Sequence, residues 1–287
     1  MMSAELLLKD VSITFPVFTG AKQQSVLAAA AGAFSFGRLR MNSAGLRHVE
    51  SLRGISLHLK TGARLGLVGS NGSGKSSLLK TLAGIYYPTR GKRMVSGKVG
   101  AVLTTLAGLD GEKTGRENVR LLSTVFGLAK EEIQKVIEDI FEFTELGDFF
   151  DMPIRVYSAG MQVRLNFALA TALPSDILLI DEVLAAGDAH FASRARERLQ
   201  THASNAKILV LATHSWADLS SYCDFAICLR SGVVVDVGNP ADVWNRYVHE
   251  QPRPEEAGHI PKMIRVPAAD PAKSESEPKS SLLKNAG

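Results

Sequence analysis

An α/β fold is predicted, with a parallel sheet wound around one phosphate-binding loop and a helical block inserted into it. Three observations predict it. Residues 65–79 read as an apolar strand, a glycine loop and an apolar helix in succession. Residues 177–180 and 208–212 are apolar at every position, as strands in the middle of a parallel sheet are. From Thr114 to about residue 172 the apolar period changes from two to 3.6, the signature of consecutive helices.

The loop carries the chemistry. Gly69 to Ser76 fits G-x-x-x-x-G-K-S. Its glycines let the backbone turn and bring N–H groups close to phosphate oxygens. The following helix points its N-terminal donors and positive dipole end at the same anion. Lys75 has the reach for the β- and γ-phosphates, and the Ser76 hydroxyl can ligate Mg²⁺. The predicted nucleotide-binding residues here are Gly69, Ser70, Asn71, Gly72, Ser73, Gly74, Lys75, Ser76 and Ser77. A flexible Gly/Ser turn is the plain alternative, but it would not need the strand and helix on either side.

Taken in order, residues 6–15 alternate as a strand, and either Phe15 or Phe18 is a candidate to stack on an adenine or simply to fill the core. Residues 20–47 interrupt the pattern with an alanine-rich helical stretch and then Arg38, Arg40 and Arg47. This insertion reads equally as a membrane-facing amphipathic helix or as an ordinary surface excursion. Residues 52–60 read as a strand, Leu78, Leu79 and Leu82 face the helix after the loop inward, and a short β-like stretch covers about 95–103.

Thr114-Gly115-Arg116-Glu117 is a capping-box pattern that starts a helix running to about residue 126. Ile133, Val136, Ile137, Ile140 and Phe141 fall on one face of a second helix, and a third begins near Ser158. Residues 225–229 and 233–237 form a hairpin turned at Ser231-Gly232, and a short helix follows Asn239-Pro240. Beyond residue 250, Pro, Glu, Ser, Lys and Ala dominate, so a folded domain of 1–248, with a helical subdomain at about 114–172, is expected to end in a disordered tail at 249–287.

Bulk properties bound the partners. The 287 residues are 45% hydrophobic and 22% charged, with a net charge of +4, a basic excess too small to argue for nucleic acid. The two cysteines, Cys223 and Cys228, fit no metal spacing and read as reduced structural thiols. The opening residues do not read as a signal peptide, and the longest apolar run, 26–34, is well short of the ~20 residues that span a bilayer. A soluble or peripheral protein is expected.

Asp181 ends a buried strand, where a carboxylate needs a metal or a partner, so Mg²⁺ held by Ser76 and Asp181 is expected. Glu182, one residue on, suits the general base for an attacking water. His214, at the tip of the next apolar strand, is placed to contact the γ-phosphate and hold that water. With Lys75, these are the expected catalytic residues. Tyr157-Ser158-Ala159-Gly160-Met161 makes a second anion-binding helix tip, at Ser158 and Gly160, without a lysine. One loop needs no second anion site in the same chain, so this tip is expected to close on the nucleotide of a second subunit.

The phosphate loop, Ser158-x-Gly160, the strand into Asp181-Glu182, the turn at Asp188 and His214 together resemble the ATP-binding subunit of ABC transporters. Thr114 to Asn118, residues 157–161 with Arg164-Leu165, residues 181–191 and the long insertion resemble its polysaccharide-export branch. The resemblance covers about residues 5–245. It implies a P-loop NTPase with a RecA-like core, an antiparallel β subdomain and an inserted helical subdomain. It also implies ATP and Mg²⁺ as cofactors, and a homodimer sandwiching two ATPs with Asp188 at the seam.

A separate membrane permease would receive Thr114–Asn118 near its coupling helix. The exported substrate would be a lipid-linked glycan, and the subunit would lie on the cytoplasmic face of the membrane. Thr104 or Thr105 stands where the superfamily carries a glutamine, and a hydroxyl there can still bind a Mg²⁺-bound water. The rival readings are a soluble non-transport ATPase of the same superfamily, a non-catalytic nucleotide switch and a kinase. The first usually carries two ATPase halves or a coiled-coil insertion, the second would lose Glu182, and the third lacks an acceptor site here.

Overall fold

The computed structural model describes residues 3–16, 39–41, 47–103, 109–181, 189–251 and 260–268. Two sheets organise them. In the first, β1 (Glu5–Pro16) lies antiparallel between β3 (Arg47–Lys60) and β5 (Arg90–Ser96), and β2 (Leu39–Met41) adds to β3. Leu6, Leu8, Val11 and Ile13 of β1 are buried, so its inward face is the alternating one read from the sequence. The second sheet has the order β10–β9–β4–β8–β7–β6, from β4 (Arg64–Val68), β6 (Val99–Val102), β7 (Ile177–Asp181), β8 (Ile208–Ala212), β9 (Phe225–Arg230) and β10 (Val233–Gly238). All its pairs are parallel except the β9–β10 hairpin. Every residue of β7 and β8 is buried, as strands covered on both faces require.

Two cores result. One fills the space between the sheets, where Leu78, Leu79 and Leu82 of α1 (Lys75–Ala83) pack with Leu52 and Leu57 on one side and Leu179 and Val210 on the other. The second lies on the opposite face of the parallel sheet. There it runs into the helical block of α2 (Gly115–Val125), α3 (Lys130–Thr144) and α4 (Ala159–Ala172). It is closed by α5 (Ala189–Asn205), α6 (Trp216–Tyr222) and α7 (Pro240–Val248).

The capping box forms. The Thr114 hydroxyl accepts from the Glu117 amide at 3.1 Å, and the Thr114 amide donates to the Glu117 carboxylate at 2.9 Å. On α3 the inward aromatic is Phe143, 7% exposed, whereas Phe141 is 40% exposed. The sequence places Phe141 inward because the stripe through Ile133 and Ile137 continues onto it four residues on, whereas Phe143 follows Val136 and Ile140 at seven and three residues. Cys223 and Cys228 are buried free thiols, and burial pushes the Cys228 thiol up to about 11.

The expectation of an unstructured segment after residue 248 does not hold for residues 260–268. Within them β11 (Ile264–Arg265) pairs parallel with β3 at Leu57 and His58, Val266 N–H donates to the His58 carbonyl, and Ala268 bridges to Ala63. Ile264 and Val266 are buried against the core between the sheets. Local composition hid this, because two aliphatic residues in a polar segment gain their burial entirely from a distant strand. Among the described residues no helix is long and apolar enough to cross a membrane.

Candidate functional site

Register puts the site together. Leu67 and Asp181 both pair with Ala212, so the C-terminal tips of β4, β8 and β7 stand side by side. Ligand crevices of open α/β sheets lie at these ends. The phosphate loop leaves β4 there.

Close approach holds the loop in shape. Gly69 has φ +145°, and a Cβ on it would sit 2.4 Å from the Leu229 carbonyl oxygen. Gly74, the N-cap of α1, has φ +116°, and its Cβ would meet the Ser51 carbonyl at 3.0 Å. Only glycine fits both positions. The Gly232 amide donates to the Ser73 carbonyl at 2.8 Å and the Arg53 amide to the Gly232 carbonyl at 2.8 Å. The loop is therefore stitched to both β3 and the β9–β10 hairpin.

The first turn of α1 has no side-chain cap. Its leading N–H groups have no intrahelical acceptor, which leaves an anion as their natural partner. The Ser73 hydroxyl is buried and unpartnered beside them. Lys75 is 7% exposed, and its ammonium donates to the Gly69 carbonyl at 2.6 Å and the Ser70 carbonyl at 3.3 Å. It also lies 3.0 Å from His214 Nε2. An ammonium has only donors, so in this contact Nε2 is the acceptor. Ser76 is exposed at the helix start, and Asp181 is 7% exposed at the tip of β7. An uncapped helix start, a glycine cradle, a lysine, an open serine hydroxyl and a buried carboxylate are the donor set that a nucleotide phosphate with Mg²⁺ demands. Glu182, Asp188, Thr104, Thr105 and Phe18 lie outside the described residues. Phe15 is 38% exposed and packs edge-on against Tyr86, with ring centroids 5.1 Å apart.

The second anion-type helix tip is exposed. Ser158 caps α4, its hydroxyl accepting from the Met161 amide at 3.3 Å. A Cβ built on Gly160 meets nothing nearer than the Ser158 hydroxyl at 4.0 Å, so nothing among the described residues of its own chain requires a glycine there. The Tyr157 hydroxyl donates to the Phe149 carbonyl at 2.8 Å, tying the short 3-10 turn that leads to the helix back into the block.

Two contacts of the region escaped the sequence reading. Asn118 is fully buried, and its amide bonds the carbonyls of Asp110, Lys113 and Thr114 while its oxygen accepts from the Asp110 amide. It fixes the loop that leads into α2. Ser51, on β3, donates to the Ser77 hydroxyl. Ser51 sits in no recognisable motif; Asn118 closes the Thr114–Asn118 stretch, and its one signal as a clamp is a polar residue on the inner side of a helix's first turn.

Comparison with known proteins agrees with this geometry. Residues 52–185 match the family model described as ABC transporter. The chain is 40% identical over 199 residues to the O-antigen export system ATP-binding protein RfbB of Myxococcus xanthus, covering 69% of this chain and 46% of that one. It is 36% identical over 231 residues to RfbE of Yersinia enterocolitica, also an O-antigen export system ATP-binding protein, covering 80% of this chain and 96% of that one. It is 34% identical over 197 residues to the teichoic acids export ATP-binding protein TagH of Listeria monocytogenes, covering 69% and 58%. The chain thus spans about half the length of two of these relatives and nearly all of the third. Among solved structures, the dimeric ATP-binding cassette MJ0796 in a post-hydrolysis state superposes with a TM-score of 0.59 at 22% identity, over 82% of this chain and 98% of that one. Another, the ATP-binding subunit of an ABC transporter, gives 0.62 at 22% identity, over 85% and 93%. With a relative matched along almost its whole length and the cassette fold in place, this chain belongs to the ABC transporter family.

Proposed function

We propose that the chain is the ATP-hydrolysing subunit of a transporter that exports a lipid-linked polysaccharide, of O-antigen or capsule type, through a separate membrane permease. One observation carries this reading: a phosphate loop that tolerates only glycine at its turns stands in a chain 36% identical to nearly all of an O-antigen export ATP-binding protein.

In this reading the loop amides and Lys75 hold the β- and γ-phosphates, and Ser76 and Asp181 hold Mg²⁺, whose charge offsets that on the phosphate oxygens. Glu182 accepts the proton of the attacking water. His214, 3.0 Å from Lys75, is close enough to share its phosphate and hold the water in line. Ser158 and Gly160 close on the nucleotide of a second copy, with Asp188 at the seam, so two ATPs are sandwiched in a homodimer. The exposed helix tip and the open space around Gly160 support that arrangement. The subunit would sit at the cytoplasmic face of the membrane, held there by the permease, with no nucleic-acid partner.

The test uses the full chain and Glu182→Gln, sized with and without Mg-ATP while phosphate release is measured. The expected outcome is lost turnover and an ATP-dependent dimer that persists. Unchanged hydrolysis would remove Glu182 as the base; a monomer at saturating ATP would remove the sandwich.

A further inference from the structure

We propose that Ser51 is a positioning residue for the nucleotide, acting through the hydroxyl of Ser77; the inference rests on reading the glycine loop as the nucleotide site. Ser51 belongs to β3, in the antiparallel sheet, far from the loop motif in sequence. It is 7% exposed, and its Oγ–H donates to Ser77 Oγ at 2.5 Å.

The backbone of Ser51 is held against the loop. Its carbonyl oxygen lies 3.0 Å from the place a Cβ of Gly74 would take and 2.5 Å from that of Gly232. The Arg53 amide donates to the Gly232 carbonyl, and the Arg53 guanidinium donates to the Ser231 carbonyl at 3.1 Å, so the strand cannot slide away. The Ser51 hydroxyl is thus a fixed donor.

Ser77 occupies the third residue of α1, where the amides have no intrahelical acceptor. A serine hydroxyl has one proton and two lone pairs. With one lone pair taken by Ser51, the remaining freedom of Ser77 is where to send its own proton. The habitual local acceptor of a helical serine is the carbonyl four residues back. Here that is the Ser73 carbonyl; it accepts from the Gly232 amide at 2.8 Å, and among the described residues the Ser77 hydroxyl makes no bond to it. The Ser77 proton is therefore presented alongside the helix-start amides that have no intrahelical acceptor, as one more donor to a phosphate oxygen. Ser51 sets that rotor before the ligand arrives, which removes an ordering cost from binding.

The interaction is made equally with bound substrate and transition state, so its loss raises KM and leaves kcat nearly intact. The experiment titrates ADP, without metal, into the full chain and into Ser51→Ala, Ser77→Ala, the double variant and Ser51→Thr by calorimetry, and adds KM and kcat for ATP. Ser51→Ala is expected to weaken ADP by about three- to tenfold, the worth of one hydrogen bond. KM should rise by a similar factor, and Ser51→Thr, which keeps the hydroxyl, should restore affinity. The double variant should bind no more weakly than Ser77→Ala alone, because Ser51 has nothing left to position. Wild-type affinity in Ser51→Ala, or additive losses in the double variant, would overturn the proposal while leaving the nucleotide site standing. A wild-type chain that fails to bind ADP would overturn the site and the role of Ser51 together.

Discussion

The phosphate loop and the helical block are built on opposite plans. Around the loop, shape is set by backbone contact: glycine Cα atoms against carbonyl oxygens, and amides stitched to two other elements. In the helical block, shape is set by arginines laid over aromatic rings and paired with carboxylates. Arg116 bonds Asp151 through two nitrogens and lies over Phe150 at 5.1 Å. Arg198 bonds both oxygens of Asp139 and lies 4.4 Å over Phe143, while Arg194 pairs with Glu145 over the same ring. Backbone jams have no intermediate setting, so damage to the loop is all-or-none and indifferent to salt. Stacked ion pairs are graded and screened. A rigid anion cradle joined to an adjustable helical arm is what a machine needs if it must hold phosphate in one geometry and pass its presence to a partner.

The sharpest break of this contrast is Gly69→Ala. Its Cβ must displace the backbone of β9 at Leu229 and adopt φ +145°. About 3 kcal/mol or more of stability should be lost, together with detectable nucleotide binding, and salt should change neither. Binding of ADP and the urea midpoint check both. Ordinary binding in this variant would mean that the cradle is softer than its contacts indicate.

Next in size is truncation after Gln251, which removes β11. Ile264 and Val266 leave the core between the sheets, and the edge of β3 is exposed. Two buried aliphatic side chains suggest a loss of about 3 kcal/mol, seen as a lower urea midpoint, with ADP affinity in the folded fraction unchanged. Loss of affinity instead would show that the strand supports the loop itself.

Much of this architecture was legible. The phosphate loop, the capping box at Thr114 and Glu117 and the all-apolar strands β7 and β8 are local patterns whose physics is complete within a dozen residues. What was hidden depends on partners far away in sequence. β5 reads Arg-Gly-Lys-Arg-Met-Val-Ser, with no clean alternation, and is a strand because β1 supplies its ladder. β11 is two residues recruited by β3. At the site the loop residues could be named in advance, and so could the strand tips bearing Asp181 and His214. The direct contact between Lys75 and His214 and the bond from Ser51 to Ser77 could not, because each joins elements that only the fold brings together, and the Asn118 clamp could not, because it depends on how residues 110–114 fold back on the first turn of α2.

Asn118→Ala tests the middle ground, a polar clamp inside the helical block. Removing it strands the amide of Asp110 at a fully buried position and takes one of two donors from the carbonyls of Asp110, Lys113 and Thr114, each of which keeps a backbone amide. A loss of about 2 kcal/mol is expected, with ADP binding retained and hydrogen exchange raised over residues 110–114. Arg198→Met should cost less, about 1 kcal/mol, since the methylenes stay packed on Phe143 while the bonds to Asp139 and the 2.8 Å bond to Thr171 vanish. Its cost should shrink in 1 M salt, where that of Gly69→Ala stays constant; equal salt response in the two would erase the distinction between the plans.

The smallest effect lies at the end of the parallel sheet opposite the site, and it is read in pH. Asp176 sits just before β7, where the Lys207 ammonium at 2.7 Å and the Lys98 amide at 2.8 Å hold its carboxyl below the usual carboxylate range. The unfolded chain therefore binds a proton at higher pH than the folded one does. The stability this pair contributes is full above the ordinary carboxylate pKa and is lost as pH falls through the lowered folded value. Wild type and Asp176→Asn should differ in melting temperature from neutrality down to about pH 4, and the gap should close only as pH falls through the lowered folded value, below which both carry a neutral side chain. ADP affinity should be the same in the two at every pH, because β6, β7 and β8 are tied here at the ends that face away from the loop. A pH-dependent difference in affinity would instead mean that strain at one end of these strands reaches the tips that carry Asp181 and His214.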